Sequence, residues 1–513
     1  MSQEKESPRK RKSSFFFDLF FYLLLLSPFI IPFFLVEQPV PGEGTSIRSE
    51  AYPMGAGQVQ LLADQTLFNP DTQQRMVRQE IFDTLLGQIR QADELIVADF
   101  FLWNPWTGKE AKAYKQLARP LAMALIKSKR AHPEMPVLVI TDPINRVYGD
   151  MAPAFFKEME DAGITLVYTD LDKLPDSNWI YGTNARFYRK FVPGLEEPDS
   201  WVNKPRFSNP FEPDGPSISA VQMGRLLFFK ANHRKVLVTG SQARGLEVVV
   251  SSFNPADGSS AHSNVGVRLQ GKVAQAALDS ELGVAGWSTQ NSTAYQALRK
   301  EIETRAQALE HLNPGGAELT AQWLSEGGIR ARLLELLKSA KSGDHLDISM
   351  FYLSDRDVVK QLKAAVERGA VVRLLLDANR DAFGRTKNGI PNRTVAFEMM
   401  RDVKDLSLSI RWADTHGEQF HPKVLALYGE GREEGVLLLG SANWTRRNLD
   451  DLNLEAGVCL KGADEALARY REFFELAWQE GSLEYSAWEE TGWKAWLKYG
   501  VYRVQAWTGL STF

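Results

Sequence analysis

The sequence predicts an internally duplicated α/β fold: two domain-sized halves, each on a largely parallel sheet, behind an N-terminal transmembrane helix. Three observations predict it. A motif of His, Lys, Ser and Asn occurs twice at matching spacing. Strand-like and helix-like segments alternate in the same order before each copy. A 22-residue apolar-rich run, Phe15–Val36, stands near the N-terminus. The chain has 513 residues, 44% hydrophobic and 24% charged, which is globular composition and too long for one ordinary domain.

The N-terminal elements come first. Arg9–Lys12 read RKRK, and FFFDLFFYLLLLSPFIIPFFLV follows. A helix needs about 20 residues to cross the hydrocarbon core. Basic residues before the run and Glu37 and Glu43 after it favour a cytoplasmic N-terminus. The body of the chain is then expected outside the cytoplasmic face, periplasmic in a bacterium. A cleaved signal peptide is the alternative, but its apolar region is usually about 7–15 residues with a small-residue cleavage site behind it. VEQPVPGEG offers no such site, although Asp18, Pro28 and Pro32 interrupt the run. The expected division is a basic tail over 1–14, a single-pass anchor over 15–36 and a Pro/Gly/Ser-rich tether over 37–57. The lone cysteine, Cys459, excludes an internal disulfide, and a net charge of −4 argues against non-specific binding of nucleic acid.

The repeat fixes the rest. NHRKVLVTG places His233 and Lys235 two apart, and Ser252 and Asn254 follow 19 and 21 positions after His233. HPKVLAL places His421 and Lys423 at the same spacing, with Ser441 and Asn443 20 and 22 positions after His421. Upstream, ELIVADFFLW (Glu94–Trp103) parallels HLDISMFYLS (His345–Ser354). Helix-like Tyr114–Ser128 and Asp357–Arg368 follow, then PVLVITD ending at Asp142 and VVRLLLD ending at Asp377, then ITLVYTD and LSIRWAD. Strand–helix–strand alternation implies βαβ units and a parallel sheet. The halves are expected over 58–272 and 317–482, joined by a helical connection over 273–316 and followed by a Trp-rich segment over 483–513.

Residues two apart on a strand share a face, so each His projects with its Lys. If the halves pack about a pseudo-twofold axis, two imidazoles and two ammonium groups meet in one cleft, with Ser and Asn from each copy at its floor. That set suits an anion with several oxygens: lysines bring charge, Ser and Asn bring neutral donors, and imidazoles bring a nucleophile and an acid near neutral pH. The motifs hold no His/Cys/carboxylate cluster at metal-ligand spacing, so neither metal nor cofactor is expected.

This pattern resembles the phospholipase D superfamily, whose signature is HxKxxxxD followed by GSxN, present twice. The second half is the better match, in GSANWTRRNLDDLNLE, where Asn453 and Glu455 fit a downstream N-x-E. The bacterial cardiolipin-synthase and phospholipase D-like branch is the most similar. The resemblance implies two similar α/β/α halves, with mixed, mostly parallel sheets, facing each other about a pseudo-twofold axis. It also implies a metal-free reaction through a phosphohistidine, with His233, Lys235, His421, Lys423 and Glu455 catalytic and Ser252, Asn254, Ser441 and Asn443 binding phosphate. In this family the first histidine is usually the nucleophile, oriented by the acid of the opposite half; carried over, Glu455 orients His233 and His421 acts as acid. The expected activity is phosphodiesterase or phosphatidyltransferase on phospholipid at a bilayer, with water or an alcohol as acceptor. A single-strand nuclease of the same superfamily and a non-catalytic phosphate-binding scaffold are the alternatives.

The chain departs from the signature at three places. Gly240 and Tyr428 stand where the motif has Asp, and SNVG places Gly266 opposite Glu455. Other residues invite a structural reading. His132 and His311 read as surface residues and His345 as a strand opener, while His262 and His416 stand near the motifs. Asp142 and Asp377 end corresponding strands and read as caps. The first half carries an aromatic-rich insertion near Leu174–Ser219 that either covers the cleft or packs as a flap. Trp488, Trp493, Trp496 and Trp507 make the C-terminal segment either a bilayer contact or a packed helix.

Overall fold

The computed structural model describes residues 30–32, 34–69, 71–107, 115–191, 200–213, 215–310, 317–382, 385–404 and 407–511. Most of the expected anchor, Phe15–Val36, and His311 lie outside the described residues. Among the described residues no helix is long and apolar enough to cross a membrane.

Two large mixed sheets carry the fold. The first runs in the order Gln74–Arg78, Val59–Asn69, Asn264–Gln270, Gly245–Ser251, Lys235–Ser241, Leu95–Phe100, Val137–Thr141, Thr165–Tyr168. The second runs Tyr52–Met54, Leu319–Ser325, Ala456–Lys461, Val436–Gly440, Lys423–Gly429, Asp344–Met350, Val371–Asp377, Leu408–Ala413, Ser482–Glu484. The expectation of mostly parallel sheets is corrected. Only the three strands of each βαβαβ run pair in parallel; the motif strands and their neighbours are antiparallel. The reason is connection length: three residues join Lys235–Ser241 to Gly245–Ser251, whereas a parallel crossover needs a dozen or more.

The helices form where the spacing predicts and where caps exist. Arg356–Glu367 buries Val358, Val359, Leu362, Ala365 and Val366, and Asp355 caps it by accepting the Val358 N–H at 2.9 Å. The helix expected from Tyr114 spans Ala118–Ala131. Its start is held from a distance, by the Asp257 carboxylate on the N–H groups of Leu117 and Ala118. Outer helices cover one face of each sheet with separate apolar clusters. Between the sheets lies one continuous core that takes in Val273, Ala277, Leu278 and Leu282 of helix Lys272–Ser288 and Tyr470, Phe474 and Ala477 of helix Asp464–Glu480.

These two central helices each follow the last motif-side strand of a half. Lys272–Ser288 is therefore the counterpart of Asp464–Glu480, not part of a connection beginning at 273. The tether expected over 37–57 is also corrected: Tyr52–Met54 pairs antiparallel with Leu319–Ser325, placing it in the second sheet. Backbone groups at residues 46 and 47 bond to Glu326 and Ser325. Strand Ser482–Glu484 closes the opposite edge, so the second half extends past 482.

Candidate active site

His233 and His421 open into one cleft of about 560 Å³. Each half holds the other's histidine by the same backbone exchange. The His233 N–H donates to the Leu454 carbonyl at 2.9 Å, and the His421 N–H to the Ser263 carbonyl at 3.0 Å. Asn453 Oδ1 accepts from Ala231 N–H, while His262 Nδ1 accepts from Gln419 N–H. Asp142 and Asp377 cap their turns and also accept the N–H of Asn232 and Phe420, the residues just before the two histidines. One carboxylate thus fixes a turn and a motif backbone at once. Burial pushes Asp142 up to about 7 and Asp377 up to about 6.

The imidazoles have unlike partners. His233 Nδ1 lies 2.8 Å from Glu455 Oε1, across the halves. Glu455 is itself bound by the Ser441 hydroxyl and the Asn448 amide, and its N–H donates to Glu326 at 2.7 Å. His421 Nδ1 lies 3.1 Å from Asn264 Oδ1, which also accepts from the Ser252 hydroxyl at 3.1 Å. Asn264 is therefore the counterpart of Glu455, and the placement of Gly266 opposite Glu455 is corrected. Ser441 and Glu455 are 14 residues apart, but Ser252 and Asn264 only 12; equal counting from Ser252 overshoots by two. A side chain at Gly266 would meet Ser251 Cβ at 2.6 Å.

The two serines consequently face the orienting acid and amide, not the cleft. Ser252 accepts Val265 N–H and Ser441 accepts Ala456 N–H while each donates to its partner. A serine is short, and at a strand end it reaches only the start of the neighbouring strand. Asn254 and Asn443 do line the cleft, each with a buried Oδ1 that has no hydrogen-bond partner among the described residues.

Both motif lysines stand behind the floor, 0% and 2% exposed. Lys235 donates to the His233 carbonyl at 2.5 Å and Lys423 to the His421 carbonyl at 2.6 Å. Their ammonium groups lie 5.0 and 5.2 Å from the rings of Phe101 and Phe351. Those same rings lie 4.8 and 4.9 Å from the rings of His233 and His421. Burial pushes Lys235 down to about 7, and burial plus Lys235 holds Lys423 well below the usual lysine range. Burial also lowers His233 to about 4, against the pull of Glu455, and holds His421 well below its ordinary value with help from Lys423. Both imidazoles, lowered from 6.5, are thus neutral at pH 7, with Nδ1–H directed at Glu455 or Asn264 and Nε2 left as a lone pair. Three further cations line the cleft among the described residues: Lys230, paired with Asp176 at 2.7 Å, Lys387, bonded to the Tyr352 hydroxyl, and Arg447, pushed by burial down to about 9.

Arg234, between the motif His and Lys, is 0% exposed. It bonds Glu326 at 2.8 Å and Glu281 at 3.2 Å. Since Glu326 also receives the Glu455 N–H, this buried cluster ties the first motif strand to the second half. The signature positions held by Gly240 and Tyr428 lie five residues beyond each Lys, about 17 Å along the strand. Gly240 packs on Leu95 and Leu309, and the Tyr428 hydroxyl donates to Asp347. His345 stacks on Tyr428 and His416 on Phe68, neither of them in the cleft lining. Pro210 and Phe211 of the insertion reach the cleft. Asn264, Phe101, Phe351, Lys387 and Arg447 escaped sequence reasoning; for the two Phe the doubled upstream strand was the available signal.

Residues 333–478 match the family model described as cardiolipin synthase, PLD-like domain. No curated protein sequence matches the chain. Among solved structures, the phosphatidylserine synthase of Haemophilus influenzae Rd KW20 is similar at TM-score 0.54 and 11% identity, over 90% of this chain and 96% of that one. Nuc, a phospholipase D family member of Salmonella typhimurium, is similar at TM-score 0.26 and 20% identity, over 33% of this chain and 99% of that one. A polyphosphate kinase of Porphyromonas gingivalis gives TM-score 0.41 at 13% identity, over 88% and 53%. The superfamily resemblance read from the motifs is borne out.

Proposed function

We propose that this protein, similar over residues 333–478 to the cardiolipin synthase, PLD-like domain family model, is a metal-independent phosphodiesterase or phosphatidyltransferase acting on phospholipid. The observation that carries the reading is the pairing of two cleft imidazoles with unlike Nδ1 partners, a carboxylate on His233 and an amide on His421. His233 Nε2 attacks phosphorus while Glu455 stabilises the cation that forms on the ring. His421, protonated as the phosphate anion enters, gives its Nε2 proton to the leaving alcohol oxygen. The P–O bond breaks and a phosphohistidine forms. Water or an alcohol, deprotonated by His421, then attacks phosphorus and His233 leaves. Asn254 and Asn443 donate to the phosphoryl oxygens. Lys235 and Lys423, held protonated by the phosphate anion as it enters, supply positive potential from behind, strongest in a water-poor site.

Phospholipid is favoured over a polynucleotide by the lining: Phe211, Met223, Leu226, Leu227 and Phe229 give one wall an apolar surface suited to acyl chains. The test is product analysis of the purified chain with phospholipid, with and without an alcohol, and with single-stranded DNA. Release of a free or exchanged headgroup that is lost in His233→Ala supports the reading. Cleavage of DNA alone, or of neither, overturns it.

A further inference from the structure

We propose that helix Gly492–Thr508 is a membrane-docking element that lays the rim of the catalytic cleft on an anionic bilayer surface. The helix has two faces. Ala495, Tyr502 and Thr508 are buried against the body, which satisfies its packing. Along the other side, Trp493, Trp496, Leu497, Val501, Val504 and Trp507 stand 71, 54, 58, 41, 59 and 68% exposed. Their spacing, mostly three and four residues, forms one stripe about 21 Å long. A stripe holding three tryptophans, with Lys494 and Arg503 exposed beside it, has the composition of a helix lying in a headgroup layer. There the indole is half in apolar surroundings and its N–H stays wet.

Two further observations choose a bilayer as the occupant. A pocket of about 310 Å³ beside Trp507 is lined by Arg330, Arg356, Arg446, Arg447 and Arg503 against three aspartates, a surplus of positive charge at the level of the stripe. Arg447, which also lines the catalytic cleft, hydrogen-bonds Ser177, Gly509 and Ser511, all neutral. The second observation is where the apolar N-terminal run ends. Ile30, Ile31, Phe34 and Leu35 are 41, 47, 77 and 64% exposed, and Gln38, two residues past the run, accepts the Asp176 N–H at 2.8 Å. Ser177, next along, receives Arg446 and abuts Gly509, where an added Cβ would meet its carbonyl at 1.9 Å. The ends of both apolar segments thus converge on one rim of the cleft, the rim a lipid headgroup would cross.

The test uses the full chain reconstituted with vesicles of phosphatidylcholine and phosphatidylglycerol carrying brominated acyl chains, which quench tryptophan only within the bilayer. The wild type should be quenched. Replacing Trp493, Trp496 and Trp507 together by Phe should remove most of the quenchable signal. The double variant Leu497→Glu, Val504→Glu should lose most of it with those tryptophans intact and the thermal midpoint unchanged, because both positions are exposed. Quenching that is the same in all three proteins overturns the proposal. So does a dimer, formed without lipid, that shields these tryptophans from iodide, since it would assign the face to a second copy of the chain. The readout needs no turnover, so it stands or falls separately from the chemistry proposed above.

Discussion

His421 Nδ1 lies 3.1 Å from Asn264 Oδ1, an amide at the place where the opposite half presents the carboxylate of Glu455. The two imidazoles are built alike in backbone, lysine and phenylalanine neighbours, so this difference in the Nδ1 partner gives the site a direction. A carboxylate stabilises the cation on the ring it touches; an amide orients the ring without holding its proton. His233 is thereby suited to carry the phosphoryl group and His421 to give up a proton.

Trapping with labelled substrate, quenching and peptide mapping should place phosphohistidine on the His233 peptide. Glu455→Gln should reduce that label and lower turnover by about a hundredfold, within the range of a lost acid–base partner. Label on the His421 peptide would reverse the direction.

Asn264→Asp should raise the pKa of His421 by giving it a carboxylate partner. The alkaline limb of the pH–rate profile, where loss of the His421 proton stops leaving-group protonation, should move to higher pH. An unshifted profile would mean that His421 does not deliver the proton.

Replacing either His233 or His421 by Ala should lower turnover by about 10²–10⁴-fold or more with the fold retained. Activity should persist in excess chelator. Full loss under chelation, restored by a divalent ion, would contradict the lysines' role as the charge behind the site.

Arg234→Met should destabilise the fold by about 3–5 kcal/mol, because Glu326 and Glu281 are then buried without their cation. Denaturant unfolding measures this, and a cost below about 1 kcal/mol would show that the cluster adjusts. The double change with Glu326→Gln should recover part of the loss.

Burial lowers His233 from 6.5 to about 4 in the folded chain. Between those values the unfolded state binds the proton and the folded state does not. The histidine's contribution therefore falls as pH drops from 6.5 to 4, is fully restored above 6.5, and is flat below 4. The stability difference between wild type and His233→Asn should grow in the wild type's favour by up to about 3 kcal/mol from pH 4 to 6.5. A difference constant with pH would show that the imidazole is not desolvated.

The sequence by itself determined the duplication, the pairing of each His with its Lys, and the order of strands and helices. These follow from periods of two and of three to four residues and from short spacings, which are local. The HxK spacing alone puts Lys235 with His233 on one face of a strand. It also gave the segments that become the central sheets, but not their direction: a three-residue turn at 242–244 makes an antiparallel pair where alternation suggested parallel ones. Tertiary structure alone decided which group orients which imidazole. Glu455 is 222 residues from His233, and Asn264 is 157 from His421. No count along the chain carries that register, and the loop two residues shorter in the first half moved the true partner from Gly266 to Asn264. The cleft cations Lys387 and Arg447 and the exposed face of helix Gly492–Thr508 were likewise set by packing, because what a side chain faces depends on the layers that cover it and not on its neighbours in sequence.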